Sequence, residues 1–490
     1  MEKDECLKKL ETIEKMFSTL INTKLAGYSD EDRCVATQII NDTVDLIENL
    51  DRDAYAFDVA FNNYNNGISF MPQYYFENLV LHDDMIWERM LIIVSIAYQI
   101  DFEVIFEKKG IGFLYKIIKK DITINNDIKR ILKEINEDYK MKLLKFVRND
   151  NEHYISTHLS NSSERDKCKV DIKDIIYVEN GVWYGNIEQI NNLIDNTNKE
   201  EMALLKKKIS IIQLKRDKYI DLLKLCIDQM ESSFRDNLFK FEQKKHFLPD
   251  YNKQLCVSKD IWIKCEELEE KFGNLREKLR CVINLINKNV ILALDEASRI
   301  RNTLLIDSLF RAKEILRSIT IYYRCVFYDK ELWDNEQNEI FKKYYLNEVM
   351  SQDDYFNHAM FKLYSVYEKI AKFLLCKYDF KKEYVEDSKF KNVYIEVILK
   401  LFYDQNIKSD ILTKFIDCVS SREYKEYEEI RNREYHCLRT VYVLDEECRQ
   451  MYINDSICKI EKLMSMLYQL FLMIIDEEKM IYEKISLNYK

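Results

Sequence analysis

Apolar residues recur at helical spacing through most of this chain. The segment 31–50, EDRCVATQIINDTVDLIENL, keeps an apolar stripe on one helical face, and helices are also predicted over 83–106 and 259–290. The chain has only 2 Pro and 7 Gly residues, which favours long helices joined by short connections. Alternating β-branched residues around Asn180-Gly181 predict one small β-hairpin near 170–190. We therefore predict an all-α fold that contains this hairpin.

Two parts of the chain resemble each other in order and spacing. QYYFENLVLHDD (73–84) aligns without a gap with KYYLNEVMSQDD (343–354), and 39–50 resembles 304–316. Such internal similarity indicates a duplicated helical domain, although helical sequences can also align by chance. The predicted units are a first helical domain, a middle insert of long helices with the hairpin, and a second helical domain, at 1–160, 161–290 and 291–490.

Composition and charge limit the class of protein and its compartment. The formal net charge is −10, so the overall field does not favour nucleic acid, although a local cleft could still be basic. The 13 cysteines form no CxxC pair, which is typical of free thiols in a reducing cytosol. The N-terminus is charged and unlike a signal peptide, and the longest apolar run, 463–475, is too short to span a bilayer. We expect a soluble, cytoplasmic protein without membrane contact.

One short motif occurs twice, near the end of each predicted helical domain. Both copies read Arg-Asn, three free positions and then His, in a chain with only 6 histidines. On a straight helix an Arg and a His five residues apart diverge by about 140°, so one copy presents half a site. Two facing copies could bring both pairs into one cleft. The copies are Arg148-Asn149-Asp150-Asn151-Glu152-His153 and Arg431-Asn432-Arg433-Glu434-Tyr435-His436.

The motif residues suit cleavage of RNA without a metal ion. One His could activate the ribose 2′-OH, the Arg pair could stabilise charge on the phosphorane, and a second His could protonate the leaving oxygen. The other histidines do not suggest a metal cluster, because His82, His246 and His358 are isolated in the sequence. His158 follows the first motif and is interpreted as a bystander or a substrate contact. No cofactor and no metal are expected.

RNDNEH and RNREYH resemble the Rx4–6H signature of the HEPN superfamily, including the form found in the paired HEPN domains of type VI CRISPR effectors. Many members are helical, metal-independent endoribonucleases whose active site forms where two HEPN domains meet. The resemblance implies two HEPN-like bundles, with Arg148, His153, Arg431 and His436 as catalytic residues and with Asn149 and Asn432 in support. It further implies a single-stranded RNA substrate, 2′,3′-cyclic phosphate and 5′-OH ends, a role in antiviral defence or toxin-type growth arrest, and an antitoxin or activator partner. A homodimer is also compatible with the sequence.

Structural roles for the same residues remain open. Asn and Asp in the first motif also fit a helix end, and the second motif fits a solvated helix face. Acids favour the start of a helix, so Asp83-Asp84 and Asp353-Asp354 are expected to begin helices in preference to a catalytic role. The main alternative to a nuclease is a non-catalytic helical scaffold that binds RNA or a partner protein.

Overall fold

The three-dimensional structure is a computed structural model of the 490-residue chain. It describes single positions 27, 350, 395, 439 and 444 and the segments 3–25, 31–62, 72–100, 111–137, 176–179, 182–185, 187–235, 259–289, 296–326, 352–378, 399–400, 409–436 and 446–488. The first motif, with Arg148, Asn149 and His153, lies outside the described residues, as do His158 and His246.

The described part of the chain is almost entirely helical, which confirms the predicted all-α class. The helices are α1 (Lys3–Lys24), α2 (Glu31–Asn62), α3 (Pro72–Ala97), α4 (Ile111–Lys120), α5 (Asn126–Glu137), α6 (Ile187–Arg235), α7 (Lys259–Asn289), α8 (Glu296–Val326), α9 (Gln352–Lys377), α10 (Asp410–Ser420), α11 (Arg422–His436) and α12 (Glu446–Asn488). Within these described segments, no helix combines the length and apolar character needed to cross a membrane.

The predicted β-hairpin is present and directly precedes α6 in the chain. Strand β1 (Ile176–Glu179) pairs antiparallel with β2 (Val182–Gly185), with Ile176 opposite Gly185 and Glu179 opposite Val182. The β-branched and aromatic residues of the two strands suit extended backbone, and Asn-Gly is a common hairpin turn sequence. This confirms the prediction of a small hairpin near 170–190.

Local capping chemistry sets several helix ends. Proline is well tolerated at the first helical position, and α3 begins at Pro72. Ser409 caps α10 by accepting a bond from the Leu412 amide, and Ser421 caps α11 by accepting one from Tyr424 N at 3.2 Å. Of the two acidic pairs, Asp353-Asp354 lies in the first turn of α9 as predicted, whereas Asp83 and its neighbour lie in the middle of α3. The expectation that Asp83-Asp84 begins a helix was wrong, because helical apolar residues continue upstream to Pro72.

Two helical hairpins form the centre of the molecule, α2 with α3 and α8 with α9. Each hairpin is joined by a buried ion pair: Arg89 Nε lies 3.0 Å from Asp42 Oδ2, and Lys369 Nζ lies 2.7 Å from Asp307 Oδ2. The residue after each Asp, Thr43 or Ser308, also bonds back to the carbonyl four residues earlier. These matching ion pairs make Arg89 of the first hairpin the structural equivalent of Lys369 of the second. The gapless alignment of 73–84 with 343–354, continued along the chain, pairs Arg89 with Ala359 instead.

Charged side chains also join one hairpin to the other. Glu77 of α3 accepts from Arg311 of α8 at 2.7 Å and from Lys362 of α9 at 3.2 Å, and all three side chains are buried. Buried charges are costly unless they are paired, so these contacts restrict how the hairpins can pack. The apolar residues around them belong to one continuous core that includes α2, α3, α8 and α9.

The long helices of the middle segment pack on different partners. Helix α6 lies against α2 and α3, where Lys215 Nζ contacts Asp83 Oδ2 at 2.6 Å and Arg216 Nη1 contacts Asp51 Oδ1 at 2.6 Å. Helix α7 lies against α8 and α12. Asp83 therefore has a structural role, because its carboxylate is buried and paired with a lysine.

Glu314 on α8 provides a pH-dependent contribution to stability. Burial and the nearby Glu77 carboxylate raise the pKa of Glu314 from 4.5 to about 8. Between these values the folded state keeps a proton that the unfolded chain releases. The resulting stabilisation is complete below the unfolded pKa and is lost as pH rises through the folded pKa.

We therefore expect the free energy of unfolding to fall as pH is raised from 6 to 8. One proton corresponds to at most about 1.4 kcal/mol per pH unit. The variant Glu314→Gln should lose this part of the pH dependence, as measured by urea denaturation at several pH values. An unchanged pH slope in Glu314→Gln would contradict the assignment to this carboxyl.

Candidate functional site

The second copy of the motif lies at the C-terminal end of α11, where it meets α3 and α9. Arg431 and Asn432 are in the last two turns of this helix, and His436 is its final residue. The contacts come from both predicted helical domains, since α3 belongs to the first and α9 to the second. How the first motif, Arg148 and His153, relates to this place stays a prediction.

A buried arginine fixes the end of α11 against α3. Arg89 Nη1 donates to the carbonyl oxygen of Tyr435 at 2.9 Å, and Nη2 donates to that of Glu434 at 2.8 Å. These carbonyls belong to the last turn of α11, where backbone acceptors have no partner within the helix. Asp42 holds the third donor, Nε, and also accepts from Arg439 just beyond the helix. The position of His436 is therefore set by a buried ion-pair network.

His436 is paired with a carboxylate on α3. Its Nδ1 lies 2.7 Å from Glu88 Oε2, and the side chains are 31% and 7% exposed, respectively. With Glu88 as a carboxylate, Nδ1–H is the donor, which assigns the lone pair of the neutral ring to Nε2. One helical turn earlier on α3, Asp84 accepts from the Tyr435 hydroxyl at 2.8 Å. The two contacts hold adjacent residues of the motif and orient the imidazole.

Arg431 is held by aromatic rings, and it has no carboxylate partner in the part of the chain that the structure describes. Its Cζ lies 4.7 Å from the ring centroid of Tyr364 and 4.7 Å from that of Tyr435, a favourable cation–π arrangement. Its Nη1 donates to Asn432 Oδ1 at 3.1 Å, while its buried Nε has no hydrogen-bond partner among the described residues. The Tyr435 ring also contacts the His436 ring, with centroids 4.8 Å apart. Arg431 and His436 thus both contact the ring of Tyr435.

This geometry differs from the alternative interpretation of the second motif as a solvated helix face. Arg431 is only 6% exposed, and Glu434 and Tyr435 are buried. Of the catalytic residues predicted in this copy, His436 is the more accessible. The two tyrosine rings face the guanidinium of Arg431, and these cation–π contacts offset part of the cost of burying its charge.

The supporting residues Glu88, Arg89 and Asp42 were missed by sequence reasoning. The available signal was the charged pair Glu88-Arg89 inside the apolar helix α3, in the run WERMLIIVSIA. Buried charges in apolar segments require partners, but the sequence does not reveal which residues those are.

The three histidines described as isolated in the sequence are not all isolated in space. His82 Nδ1 lies 2.7 Å from Asp53 Oδ2, and the His82 and His358 rings lie 5.8 Å apart. Asp53, His82 and His358 are all buried, and one ligand atom from each lies within 4.8 Å of the others. Burial lowers the pKa of His358 well below its usual range, with His82 adding to the effect. The expectation that His82 and His358 stand alone was therefore wrong, because helices α3 and α9 bring them together.

A separate cavity of about 730 Å³ lies between α1 and α2. Its lining includes Asp45, Glu48 and Arg52, and Asp45 is also bonded to Arg439. Burial raises the pKa of Glu48 to about 8. Arg52 of the lining is already bound by Asp45 and Glu48, and Arg33 donates to the Phe234 carbonyl and lies over its ring, which makes this cavity a poor site for a phosphate. The exposed side of His436 is thus the better candidate for RNA chemistry.

Comparison of the chain with family models, curated proteins and solved structures gave no match. The functional interpretation consequently depends on the arrangement of His436, Glu88 and Arg431.

Proposed function

We propose that this protein is an endoribonuclease that cleaves single-stranded RNA without a metal ion. The observation that supports this most directly is the pairing of the partly exposed His436 with the buried Glu88. A histidine held in one tautomer by a carboxylate is suited to transfer a proton at its other ring nitrogen. The resemblance of the motif to HEPN proteins adds the expectation of antiviral defence or toxin-type growth arrest.

In the proposed reaction His436 acts as the general base or the general acid. As a base, its Nε2 takes the proton of a ribose 2′-OH, whose oxygen then attacks the adjacent phosphorus and displaces the 5′ oxygen of the next nucleotide. Glu88 stabilises the imidazolium that forms. The second proton transfer, to the leaving oxygen, is assigned to His153 of the other motif. The products are a 2′,3′-cyclic phosphate and a 5′-OH.

Arg431 supplies positive charge to the same site, since the Tyr435 ring contacts both its guanidinium and the His436 ring. Because its guanidinium is stacked between two rings and poorly hydrated, its field on a nearby phosphate is screened less than that of an exposed arginine. Arg148 is assigned the same role in the other copy. Asn432 orients Arg431 through the bond to Oδ1, which fits its supporting role.

A second candidate function is a helical scaffold that binds RNA or a partner protein and has no catalytic activity. The burial of Arg431 favours it, because an arginine with 6% exposure can have a purely structural role. The two candidates differ in whether purified protein breaks phosphodiester bonds.

The deciding experiment is incubation of a labelled single-stranded RNA with the full chain in EDTA. We expect wild type to produce fragments with cyclic phosphate ends and His436→Ala and His153→Ala to produce none. Arg422→Ala is a matched control, because Arg422 begins the same helix, is 83% exposed, and forms its described ion pair with Glu426 one turn along the same helix. Equal cleavage by wild type and both histidine variants would eliminate the proposed chemistry. Absence of cleavage by wild type would favour the scaffold.

A further inference from the structure

Three buried side chains from three helices converge in the core. Asp53 comes from α2, His82 from α3 and His358 from α9, and each is at most 1% exposed. Their ligand atoms lie within 4.8 Å of one another. Two of the buried polar atoms, Asp53 Oδ1 and His358 Nε2, have no hydrogen-bond partner among the described residues. We propose that this cluster is a binding site for a divalent transition-metal ion, with zinc as the best candidate.

The surroundings of His358 favour a metal ligand. His358 Nδ1 lies 3.0 Å from the Tyr74 hydroxyl oxygen, which in turn lies 2.7 Å from Ser318 Oγ. The metal-binding tautomer of His358 carries its proton on Nδ1, which then donates to the Tyr74 hydroxyl, while that hydroxyl donates to Ser318. The lone pair is then on Nε2, and the Asn78 amide nitrogen, 3.4 Å from Nδ1, makes no hydrogen bond to the ring in this tautomer. Histidines that bind metals commonly donate their other nitrogen to such an outer partner, which fixes the tautomer and the ring orientation.

The spacing of the donors suits a small ion after minor adjustment. Metal–nitrogen bonds of about 2.1 Å in a tetrahedral shell separate the ligand atoms by about 3.4 Å. On metal binding the distance between the Asp53 and His82 ligand atoms, now 2.7 Å, would lengthen slightly. The ligand atoms that are now farther apart, by up to 4.8 Å, would move closer together. Two imidazoles and one carboxylate favour zinc or a neighbouring transition metal over magnesium and calcium, which prefer oxygen ligands. One tetrahedral position remains for a water molecule.

The ion would connect the two central hairpins. Asp53 and His82 belong to the first hairpin, α2 with α3, and His358 belongs to the second, α8 with α9. Because the ligands are buried, the role assigned to the ion is structural. This site is independent of the proposed nuclease site at His436, so its test does not use RNA cleavage.

The test measures metal binding by the full chain. After removal of metal with a chelator, we expect wild type to bind one Co²⁺ ion with the visible spectrum of tetrahedral coordination, to exchange it for Zn²⁺, and to gain a few degrees in Tm. His358→Gln should bind Co²⁺ at least about 100-fold more weakly. Tyr74→Phe, which removes only the outer partner, should bind about 10- to 100-fold more weakly.

Two comparisons keep the outcome interpretable if a variant folds poorly. Asp53→Asn preserves side-chain size and should also weaken binding, and circular dichroism identifies variants that remain helical. His436→Ala is the control, because it removes a histidine that is not part of the cluster, and it should bind Co²⁺ as tightly as wild type does. The proposal is overturned if wild type binds neither Co²⁺ nor Zn²⁺, or if a folded His358→Gln binds them as tightly as wild type.

Discussion

Replacing Glu88 with Gln should reduce the rate of RNA cleavage by about 10²- to 10⁴-fold. Gln keeps the size of the side chain and can still contact His436, but it carries no negative charge. The imidazolium that forms during proton transfer would lose its stabilising partner, and the preferred tautomer of the ring would no longer be fixed. Such a loss corresponds to about 3–5 kcal/mol of activation free energy. Single-turnover cleavage of a labelled RNA by wild type and Glu88→Gln measures the effect.

The control for this prediction is Glu137→Gln, which makes the same chemical change at a surface pair with Lys119. It should cleave at the rate of wild type. Circular dichroism and urea denaturation should show that Glu88→Gln remains folded. Cleavage by Glu88→Gln within about threefold of wild type would remove this carboxylate from the mechanism and leave the His436–Glu88 contact as a structural one.

Replacing Arg89 with Met should lower the free energy of unfolding by about 3–5 kcal/mol. The Arg89 side chain is fully buried, and its nitrogens donate to Asp42 and to the backbone carbonyl oxygens of Glu434 and Tyr435. Met has a similar length but cannot donate, so these acceptors would stay buried without that partner. Urea denaturation at neutral pH measures the loss.

Arg130→Met provides the surface control for this second prediction. Arg130 is 59% exposed and pairs with Asp127 and Glu134 on its own helix, so its replacement should cost less than about 0.5 kcal/mol. Lys369→Met removes the corresponding cation of the second hairpin and should destabilise the chain without touching the end of α11. A loss of less than about 1 kcal/mol in Arg89→Met would show that α11 is held by other contacts.

The assembled geometry makes α3 the central element of the proposed site. The same helix supplies Glu88 to His436, Arg89 to the end of α11 and Glu77 to the second hairpin. It also carries His82 of the proposed metal cluster. Residues of this one helix therefore serve the proposed catalysis, the termination of α11 and the packing of the core.

Much of the secondary structure could be predicted from the sequence. The apolar periodicity of 31–50 and 259–290 identified helices, and the residues around Asn180-Gly181 identified the hairpin, because both signals are local. The repeated motif also directed attention to the end of α11. The start of α3 was misplaced at Asp83 because an acidic pair is a weaker boundary signal than Pro72.

The partners of the candidate site could not be obtained from the sequence. Glu88 and His436 are separated by 348 positions, and Asp42 and Arg439 by 397. The local periodicity of apolar residues indicates which face of a helix is buried, but it does not indicate which other helix packs against that face. His82 and His358 looked isolated for the same reason.

The sequence by itself determined that this chain is helical, that it carries one small hairpin, and that an Arg-Asn-x-x-x-His motif occurs twice. The tertiary structure alone decided that Arg431 is buried between tyrosines, that His436 pairs with Glu88, and that Asp53, His82 and His358 meet. The physical reason is that helix formation depends on residues within a few turns. The partner of a buried charge depends instead on how the hairpins pack.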